Sequence, residues 1–324
     1  MEVRTSLTGA FPRPEPLVAA TRDLDRGRTS PETVEALTRG AETEIIALEA
    51  RLQLAPATGG YLRWADPFRP IAEHWGGFSV GPLTRWFETN TFYRQPVLVH
   101  PPDRTPGTIA ALLPAATDAL GAARVKVILP GPYTLAGLSD NRSGETAEAL
   151  IHRLGRLLAE EIRELRGLGY ATFQFQEPLL VVRPPKGPAA ESVRAAYRAI
   201  GPAAAGATTI LWTFFADASM AYPLLGELGV SVVGIDLAET DPGSLPTGGA
   251  PTGLGLGCVD ARTTLLEDPA ELARIAREAA ERLKAPSVWL GPGGPLDHLP
   301  YAPAVRKLEV LPRARALLEG GRLP

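Results

Sequence analysis

Short apolar segments alternate with longer amphipathic ones along the 324 residues, and this alternation constrains the fold more than any other feature of the sequence. Continuous apolar runs are typical of parallel strands that are covered on both faces, and apolar residues at helical spacing indicate the helices that cover them. The strand candidates are Val3–Thr8, Leu54–Thr58, Val125–Leu129, Ala171–Phe175, Thr208–Phe215, Ser231–Ile235, Leu254–Cys258 and Val288–Leu290.

Two of the intervening helices have clear start signals. Ser30 precedes Pro31, and Asp268 precedes Pro269; a hydroxyl or carboxylate cap followed by proline is a frequent way to begin a helix. The predicted helices are Pro31–Leu52, Glu145–Leu168, Pro269–Leu283 and Ala302–Glu319.

Alternating strands and helices in this number form either a closed barrel or an open, doubly wound sheet. The turn after the first strand has the sequence TGAFPR, where a dinucleotide-binding sheet would have G-x-G-x-x-G. We therefore predict an α/β fold of the (β/α)₈ barrel type, with residues 1–324 as a single domain. An aromatic-rich insertion follows strand two over about residues 60–102. Its rings are expected either to roof the barrel mouth or only to pack within the insertion.

Composition excludes several classes of protein. The net charge of −3, with arginines interspersed among acidic residues, argues against nucleic-acid and anionic-membrane partners. Cys258 is the single cysteine, so no disulfide can form within the chain. No apolar run is long enough to span a membrane, and the first residues lack the apolar core of a secretory signal. We expect a cytoplasmic protein that binds a small molecule.

In α/β barrels the functional site is built just beyond the carboxyl ends of the strands. Carboxylates and arginines together suit a zwitterion such as an amino acid, and neighbouring carboxylates raise one another's pKa for general acid–base work. The alternative is that these charges pair with each other and cap helices. Cys258 lies in an apolar strand and is expected to be buried and inert, and no metal-binding spacing is present. The strand-end candidates are Arg13, Gln176, Glu177, Asp217, Asp236, Asp260, Arg262 and His298, of which we assign Glu177, Asp260 and His298 as catalytic.

Several segments, in order along the chain, resemble the cobalamin-independent methionine synthase family. GAFPRPEPLVAA is similar to the opening signature of that family, and PLTRWFETNTFYRQP to the Trp-Phe-Asp-Thr-Asn-Tyr-His-Tyr stretch of its N-terminal barrel. LPGPYTLAGLS, FQFQEPLLV, GLGCVDARTTLLED and GPGGPLDHLPY resemble its motifs at strands three, four, seven and eight.

The resemblance implies a role in methyl or one-carbon transfer. Full-length members have two barrels, and the C-terminal one holds zinc through His-x-Cys after strand five, Glu after strand six and Cys after strand eight. Here strand five is followed by Thr213-Phe214-Phe215-Ala216, strand six offers Asp236, and strand eight offers Gly293 and Gly294. The chain therefore resembles the N-terminal, zinc-free barrel: no bound cofactor is expected, zinc is not expected, and methyltetrahydrofolate is a candidate substrate. The resemblance places Arg13, Trp86, Thr89, Asn90, Tyr93, Glu177, Asp260, Arg262 and His298 in the binding site.

Three functions remain open at this stage. The chain is a methyl-transfer enzyme on a divergent substrate, a non-catalytic folate-binding partner of a separate zinc-bearing methionine synthase barrel, or a metal-free lyase of the related uroporphyrinogen decarboxylase type. A decarboxylase of anionic porphyrins would need several arginines in its site, whereas acids predominate at these strand ends. A docking partner should expose an apolar patch, which the aromatic insertion could provide.

Overall fold

The computed structural model describes residues 1–247 and 253–320. Its strands are β1 Glu2–Thr5, β2 Gly76–Arg85, β3 Phe92–Asp103, β4 Lys126–Pro130, β5 Asp140–Asn141, β6 Thr172–Gln176, β7 Thr208–Trp212, β8 Val232–Asp236, β9 Gly253–Val259 and β10 Ser287–Pro292. Its α-helices are α1 Glu15–Asp25, α2 Pro31–Arg51, α3 Arg69–His74, α4 Pro114–Leu120, α5 Pro132–Leu138, α6 Ala147–Gly167, α7 Leu179–Val182, α8 Pro188–Ala203, α9 Tyr222–Glu227, α10 Pro269–Leu283, α11 Tyr301–Leu308 and α12 Val310–Leu318.

Seven of the strands form one parallel sheet in the order β1-β10-β9-β8-β7-β6-β4. Residues 54–57, which follow α2, connect the two outer strands of this sheet. The Ala55 N–H donates to the Thr5 carbonyl at 2.7 Å, and Ala57 pairs in parallel with Val125, next to β4. The sheet therefore curls until both outer strands contact one segment. The α/β class and the parallel sheet are confirmed.

The segment Leu54–Thr58 was expected to be a strand, and that expectation is wrong. It forms a single bridge at Ala57. Pro56 has no N–H to donate, so a continuous ladder cannot run through this segment. The other seven predicted strands are present, and the residues of β4, β6, β8 and β9 are all buried, as the apolar runs indicated.

The start signals of two helices are confirmed in detail. The Ser30 hydroxyl accepts from the Thr33 N–H, and the Asp268 carboxylate accepts from the Ala270 N–H. The last helix was predicted as one element and is two, α11 and α12, with the break at Glu309. Pro312 cannot bond to the carbonyl four residues earlier and its ring would clash there, which explains the break.

The insertion contains α3 and an antiparallel hairpin of β2 and β3, to which β5 adds in parallel. Its tip reaches the carboxyl ends of the sheet strands, because the Trp86 and Phe87 rings contact the Phe215 ring just after β7, at centroid distances of 6.4 and 5.2 Å. The hairpin thus roofs one side of the sheet's carboxyl end. In the described part of the chain, no helix is both long and apolar enough to cross a bilayer.

The interior also contains buried charges. The Lys126 ammonium donates to the Leu7 carbonyl and, at 2.8 Å, to the Gln174 side chain. Glu49 accepts from the Thr58 N–H and hydroxyl and from the Gly59 N–H at 2.8–3.0 Å. Burial raises the pKa of the Glu49 carboxyl to about 7, and burial lowers the pKa of Lys126 to about 7.

The shift at Glu49 predicts how stability depends on pH. Between about pH 4.5 and 7 the folded chain holds a proton on Glu49 that the unfolded chain has lost, so stability falls as pH rises. We expect wild type to lose roughly 3 kcal/mol relative to Glu49→Gln across this window. Urea unfolding at several pH values measures the difference. The exposed Glu160→Gln is the control: it keeps Glu49, so its stability relative to wild type should not change with pH. A constant difference between wild type and Glu49→Gln would contradict the prediction.

Candidate functional site

A cavity of about 70 Å³ lies at the carboxyl end of the sheet. By volume it holds roughly five water molecules. The ends of β4 and β6, the loops after β1 and β10, and the hairpin surround it. Four residues that the sequence predicted for the site come together here: Trp86, Tyr93, Gln176 and His298.

His298 has an environment that is unusual for a buried polar side chain. Only 10% of its side chain is exposed, yet neither ring nitrogen has a hydrogen-bond partner among the described residues. The Asp297 carboxylate is 3.7 Å from Nδ1, which is too long for a hydrogen bond. Buried polar groups normally have partners, and an exception calls for an explanation. Because His298 lines the cavity, a bound molecule would supply the missing partner.

Gln176 is held in place by the backbone. Its Nε2 donates to the Thr8 carbonyl at 2.9 Å, and Gln174, two residues earlier on β6, donates to the same carbonyl at 2.7 Å. Alternate residues of a strand point to the same face, so both amides project into the interior of the curled sheet. Gln176 is therefore a fixed polar group in the cavity wall.

Aromatic rings from the hairpin and from the loop after β7 pack against one another beside the cavity, which Trp86 and Tyr93 line, whereas Phe87 and Phe215 line a neighbouring cleft. Trp86 contacts Tyr93 and Phe87 at centroid distances of 5.5 and 4.9 Å, and Phe215 lies 6.2 Å from the His298 ring. Phe87 and Phe215 both have positive φ, at 48° and 76°. Such strain in bulky residues occurs preferentially at functional sites.

Glu177 lies outside this cavity, beneath the first turn of α5. Its carboxylate accepts from the Tyr133 N–H at 3.0 Å, from the Thr134 N–H and hydroxyl at 2.7 and 2.6 Å, and from the Tyr197 hydroxyl at 3.3 Å. Burial raises the pKa of Glu177 to about 7. A Cβ at Gly131 would lie 2.1 Å from the carboxyl carbon, so that position must be glycine. These contacts describe a side chain that caps a helix; its catalytic role stays a prediction.

Asp236, Asp260 and Arg262 belong to a separate charged cluster. Arg262 pairs with Glu239 at 2.5 Å and lies 3.5 Å from Asp260. Asp236 accepts from the Ala238 N–H, and burial raises its pKa to about 6. Arg262 lines a cleft of about 140 Å³ that shares no lining residue with the first cavity. Arg262 and Asp260 thus follow the alternative that the sequence left open, in which the charged side chains pair with each other.

The remaining predicted residues are distributed around the site. Thr89 lines the cleft of Arg262 and donates its hydroxyl to the Trp86 carbonyl, whereas Asn90 is exposed in the hairpin turn. Asp217 is exposed and accepts from the N–H and hydroxyl of Ser219. None of these three side chains lines the first cavity.

Arg13 lines a cleft of about 460 Å³ next to the first cavity. Its Nε and Nη2 donate to the carbonyls of Leu62 and Trp64 at 2.8–3.1 Å, and its Nη1 makes no hydrogen bond to the described residues. The cleft and the cavity have Trp64 and Asp297 among their common wall residues, so they are adjacent.

The wall residues that the sequence prediction missed include Tyr61, Trp64, Asp66, Phe92 and Asp297. Tyr61 and Trp64 were noted only as aromatic residues of the insertion, and Asp297 had a signal in its position beside His298. Asp66 gave no signal, because its carboxylate accepts from backbone N–H groups of Phe68, Arg69 and Arg94, the last of which is distant in sequence.

Cys258 is buried, as predicted, and burial raises the pKa of its thiol to about 12. Within residues 1–247 and 253–320, no three side chains among His, Cys, Asp and Glu are grouped so that they could hold a metal ion.

Comparison with known proteins places these features among relatives. A family model described as the N-terminal domain of cobalamin-independent synthase matches residues 78–284. A 5-methyltetrahydropteroyltriglutamate–homocysteine methyltransferase of a Synechococcus species is 30% identical over 259 residues, which are 78% of this chain and 33% of that protein. A methionine synthase of Saccharolobus solfataricus is 25% identical over 310 residues, which are 94% of this chain and 91% of that protein.

Solved structures show the same fold at lower sequence identity. A B12-independent methionine synthase from a Shewanella species, in complex with selenomethionine, superimposes with a TM-score of 0.77 at 16% identity, over 99% of this chain and 98% of that one. A putative B12-independent methionine synthase from Listeria monocytogenes gives 0.75 at 16% identity, over 98% and 99%. The chain thus spans about a third of the length of the Synechococcus relative, and nearly the whole of the archaeal relative and of these two structures.

Proposed function

The chain belongs to the cobalamin-independent methionine synthase family, and from that premise we propose that it transfers a methyl group to a thiol such as homocysteine, without zinc on this chain. The observation that carries the proposal is His298, a buried imidazole with two unpartnered nitrogens in the wall of an aromatic cavity. A general base must lie within hydrogen-bond reach of the proton it takes, and an unpartnered imidazole nitrogen in a binding cavity is available for that.

The reaction requires few groups. The thiol sulfur attacks the methyl carbon of the donor, so that a carbon–sulfur bond forms while the bond between the methyl carbon and the donor atom breaks. The electron pair of the broken bond stays with the donor atom, and the thiol proton passes to His298 and on to water. Gln176, fixed by the Thr8 carbonyl, offers a polar contact beside the reacting atoms.

The amino-acid acceptor would lie in the 460 Å³ cleft that adjoins the cavity. Arg13, Asp297 and Glu15 line this cleft, so that it offers a guanidinium and, with Asp297 next to His298, a carboxylate. That pair suits the carboxylate and ammonium of an amino acid, the zwitterion that the strand-end charges predicted. The thiol end of the acceptor can then point towards His298, the neighbour of Asp297.

Zinc is left out of the proposal because the side chains do not fit it. At the positions where the family holds zinc, Thr213 donates its hydroxyl to the Gly234 carbonyl at 2.9 Å, and Phe214 is fully buried. A Cβ at Gly293 would lie 2.4 Å from the Asp236 carboxylate, so a cysteine there would displace Asp236. Zinc binds thiolate, and the buried thiol of Cys258, with its raised pKa, is unsuited to it.

We propose that the curled sheet closes as a (β/α)₈ barrel, with residues 54–57 in the eighth strand position, because they bridge β1 and β4 and because the solved relatives share the fold. We also propose a single domain over residues 1–324, of which 248–252 and 321–324 lie outside the described residues.

The test is the formation of methionine from homocysteine by protein treated with a chelator, with methyl donors that differ in leaving group. Methyltetrahydrofolate is expected to give no turnover, because its nitrogen is a poor leaving group and the thiol is not activated by zinc. In addition, no Lys or Arg of the described residues lines the cavity to meet a glutamate tail. At least one better donor should give methionine. Robust turnover with methyltetrahydrofolate, or no turnover with any donor, would contradict the proposal.

One observation favours a second candidate, the folate-binding partner of a zinc-bearing methionine synthase. Leu83 and Phe92 on the hairpin are 60% and 59% exposed, and exposed apolar side chains on one element are typical of docking surfaces. Adding this chain to a zinc-bearing methionine synthase tests the candidate. A rise in the rate of that enzyme would favour the partner role, and an unchanged rate would favour the enzyme proposed above.

A further inference from the structure

The walls of the cavity have a composition that selects among ligands. Five aromatic side chains line it: Tyr61, Trp64, Trp86, Phe92 and Tyr93. They include two edge-to-face pairs, Tyr61 with Trp64 at 5.3 Å and 61°, and Trp86 with Tyr93 at 5.5 Å and 79°. The ring planes therefore turn in several directions around the space. The face of an aromatic ring attracts a cation, and tryptophan does so most strongly.

The charged side chains in the wall also favour a cation. Among the residues that the structure describes, the formally charged side chains that line the cavity are the carboxylates of Asp66 and Asp297, and no lysine or arginine lines it. Arg13 is near, but it lines the neighbouring cleft and donates to the carbonyls of Leu62 and Trp64. An anionic ligand would thus meet carboxylates with no cation in the wall, whereas a cation would be stabilised by both the carboxylates and the rings.

The hydrogen-bonding capacity and the size narrow the class further. The Asp66 oxygens are already occupied by the N–H groups of Phe68, Arg69 and Arg94. Aromatic faces attract positive charge without accepting conventional hydrogen bonds, which suits a cation covered by methyl groups better than one that carries N–H donors. The volume of about 70 Å³ favours a compact molecule.

We propose that this cavity binds a compact, fully methylated organic cation, a quaternary ammonium or a sulfonium, as the methyl donor of the proposed reaction. The role of this cation as methyl donor rests on the proposed function, whereas its binding to the cavity does not. Such a cation has a good leaving group, because the methyl carbon departs to the thiolate sulfur and the electron pair neutralises the onium atom. The donor leaves as a neutral amine or thioether.

The experiment compares tetramethylammonium and trimethylsulfonium with tert-butanol, a neutral molecule of similar shape, by titration of tryptophan fluorescence at constant ionic strength. We expect both cations to bind saturably and about tenfold more tightly than the alcohol. Trp86→Phe keeps an aromatic ring in the packed cluster and should weaken the cations several-fold, with the alcohol unchanged. Asp297→Asn should also weaken them, whereas Glu15→Gln in the neighbouring cleft should not. A thermal melt of each variant confirms that it folds.

Equal affinity for the alcohol and the cations, or no binding of either cation to the wild-type protein, would overturn the inference. Methyl transfer is measured separately with trimethylsulfonium and homocysteine. Cation binding without methyl transfer from trimethylsulfonium or any other donor would leave the cation site standing and contradict the proposed function. Methyl transfer from another donor, with no cation binding, would support the proposed function and overturn the cation site.

Discussion

Replacing His298 with alanine should reduce the rate of methyl transfer to homocysteine by about 10²–10⁴-fold, the range expected for the loss of a general base. The thermal midpoint should change little, because the imidazole makes no hydrogen bond to the described residues and its removal leaves no group unpaired. A large loss of activity in a folded protein would then report chemistry rather than stability. The measurements are methionine formation under saturating donor and the thermal melt of the same preparation.

The matched control is His152→Ala, which changes an exposed histidine on α6 and should leave the rate unchanged. Titration of the donor cation against His298→Ala separates binding from catalysis. An unchanged rate in His298→Ala would remove His298 from the mechanism, whatever happens to the binding of the cation.

Replacing Glu177 with alanine should lower the free energy of unfolding by about 3–5 kcal/mol. The substitution leaves the N–H groups of Tyr133 and Thr134 and the Thr134 hydroxyl without their acceptor, in a place that water does not reach. Each buried donor without a partner costs roughly 1–3 kcal/mol. Glu177→Gln keeps one acceptor oxygen and should cost less. Urea unfolding measures both effects.

Glu160→Ala, at an exposed position on α6, is the control and should change stability by less than about 0.5 kcal/mol. The result also decides between two roles of Glu177. Loss of stability with activity retained in the folded fraction would establish the capping of α5. A stable Glu177→Ala protein without activity would show that the catalytic assignment from the sequence was right and that the helix does not depend on this carboxylate.

Much of the fold could be read from the sequence because parallel strands buried on both faces are continuous apolar runs. The failures have local causes. Pro56 interrupts the segment that should have been strand two, and Pro312 divides the last helix. Neither proline changes the hydrophobic pattern, so a prediction based on that pattern misses the interrupted strand and the divided helix.

The candidate site was predictable where a residue ends a strand. Gln176 and His298 lie in the cavity because they end β6 and follow β10. Glu177 is adjacent to Gln176 but turns to the helices, since successive residues of an extended segment point to opposite faces. Arg13 and Asp217 lie on loops, whose course depends on contacts that the sequence pattern does not encode. Asp66 is held in the site by the N–H groups of Phe68 and Arg69 and by that of Arg94, which is distant in sequence.

The most direct test of zinc-free methyl transfer is the rate of methionine formation from homocysteine and trimethylsulfonium, measured together with the zinc content of the same protein. We expect a rate that is unchanged after zinc is removed by a chelator and that does not rise when zinc is added back. A rate that follows the zinc content, or no methionine at any zinc content, would contradict it.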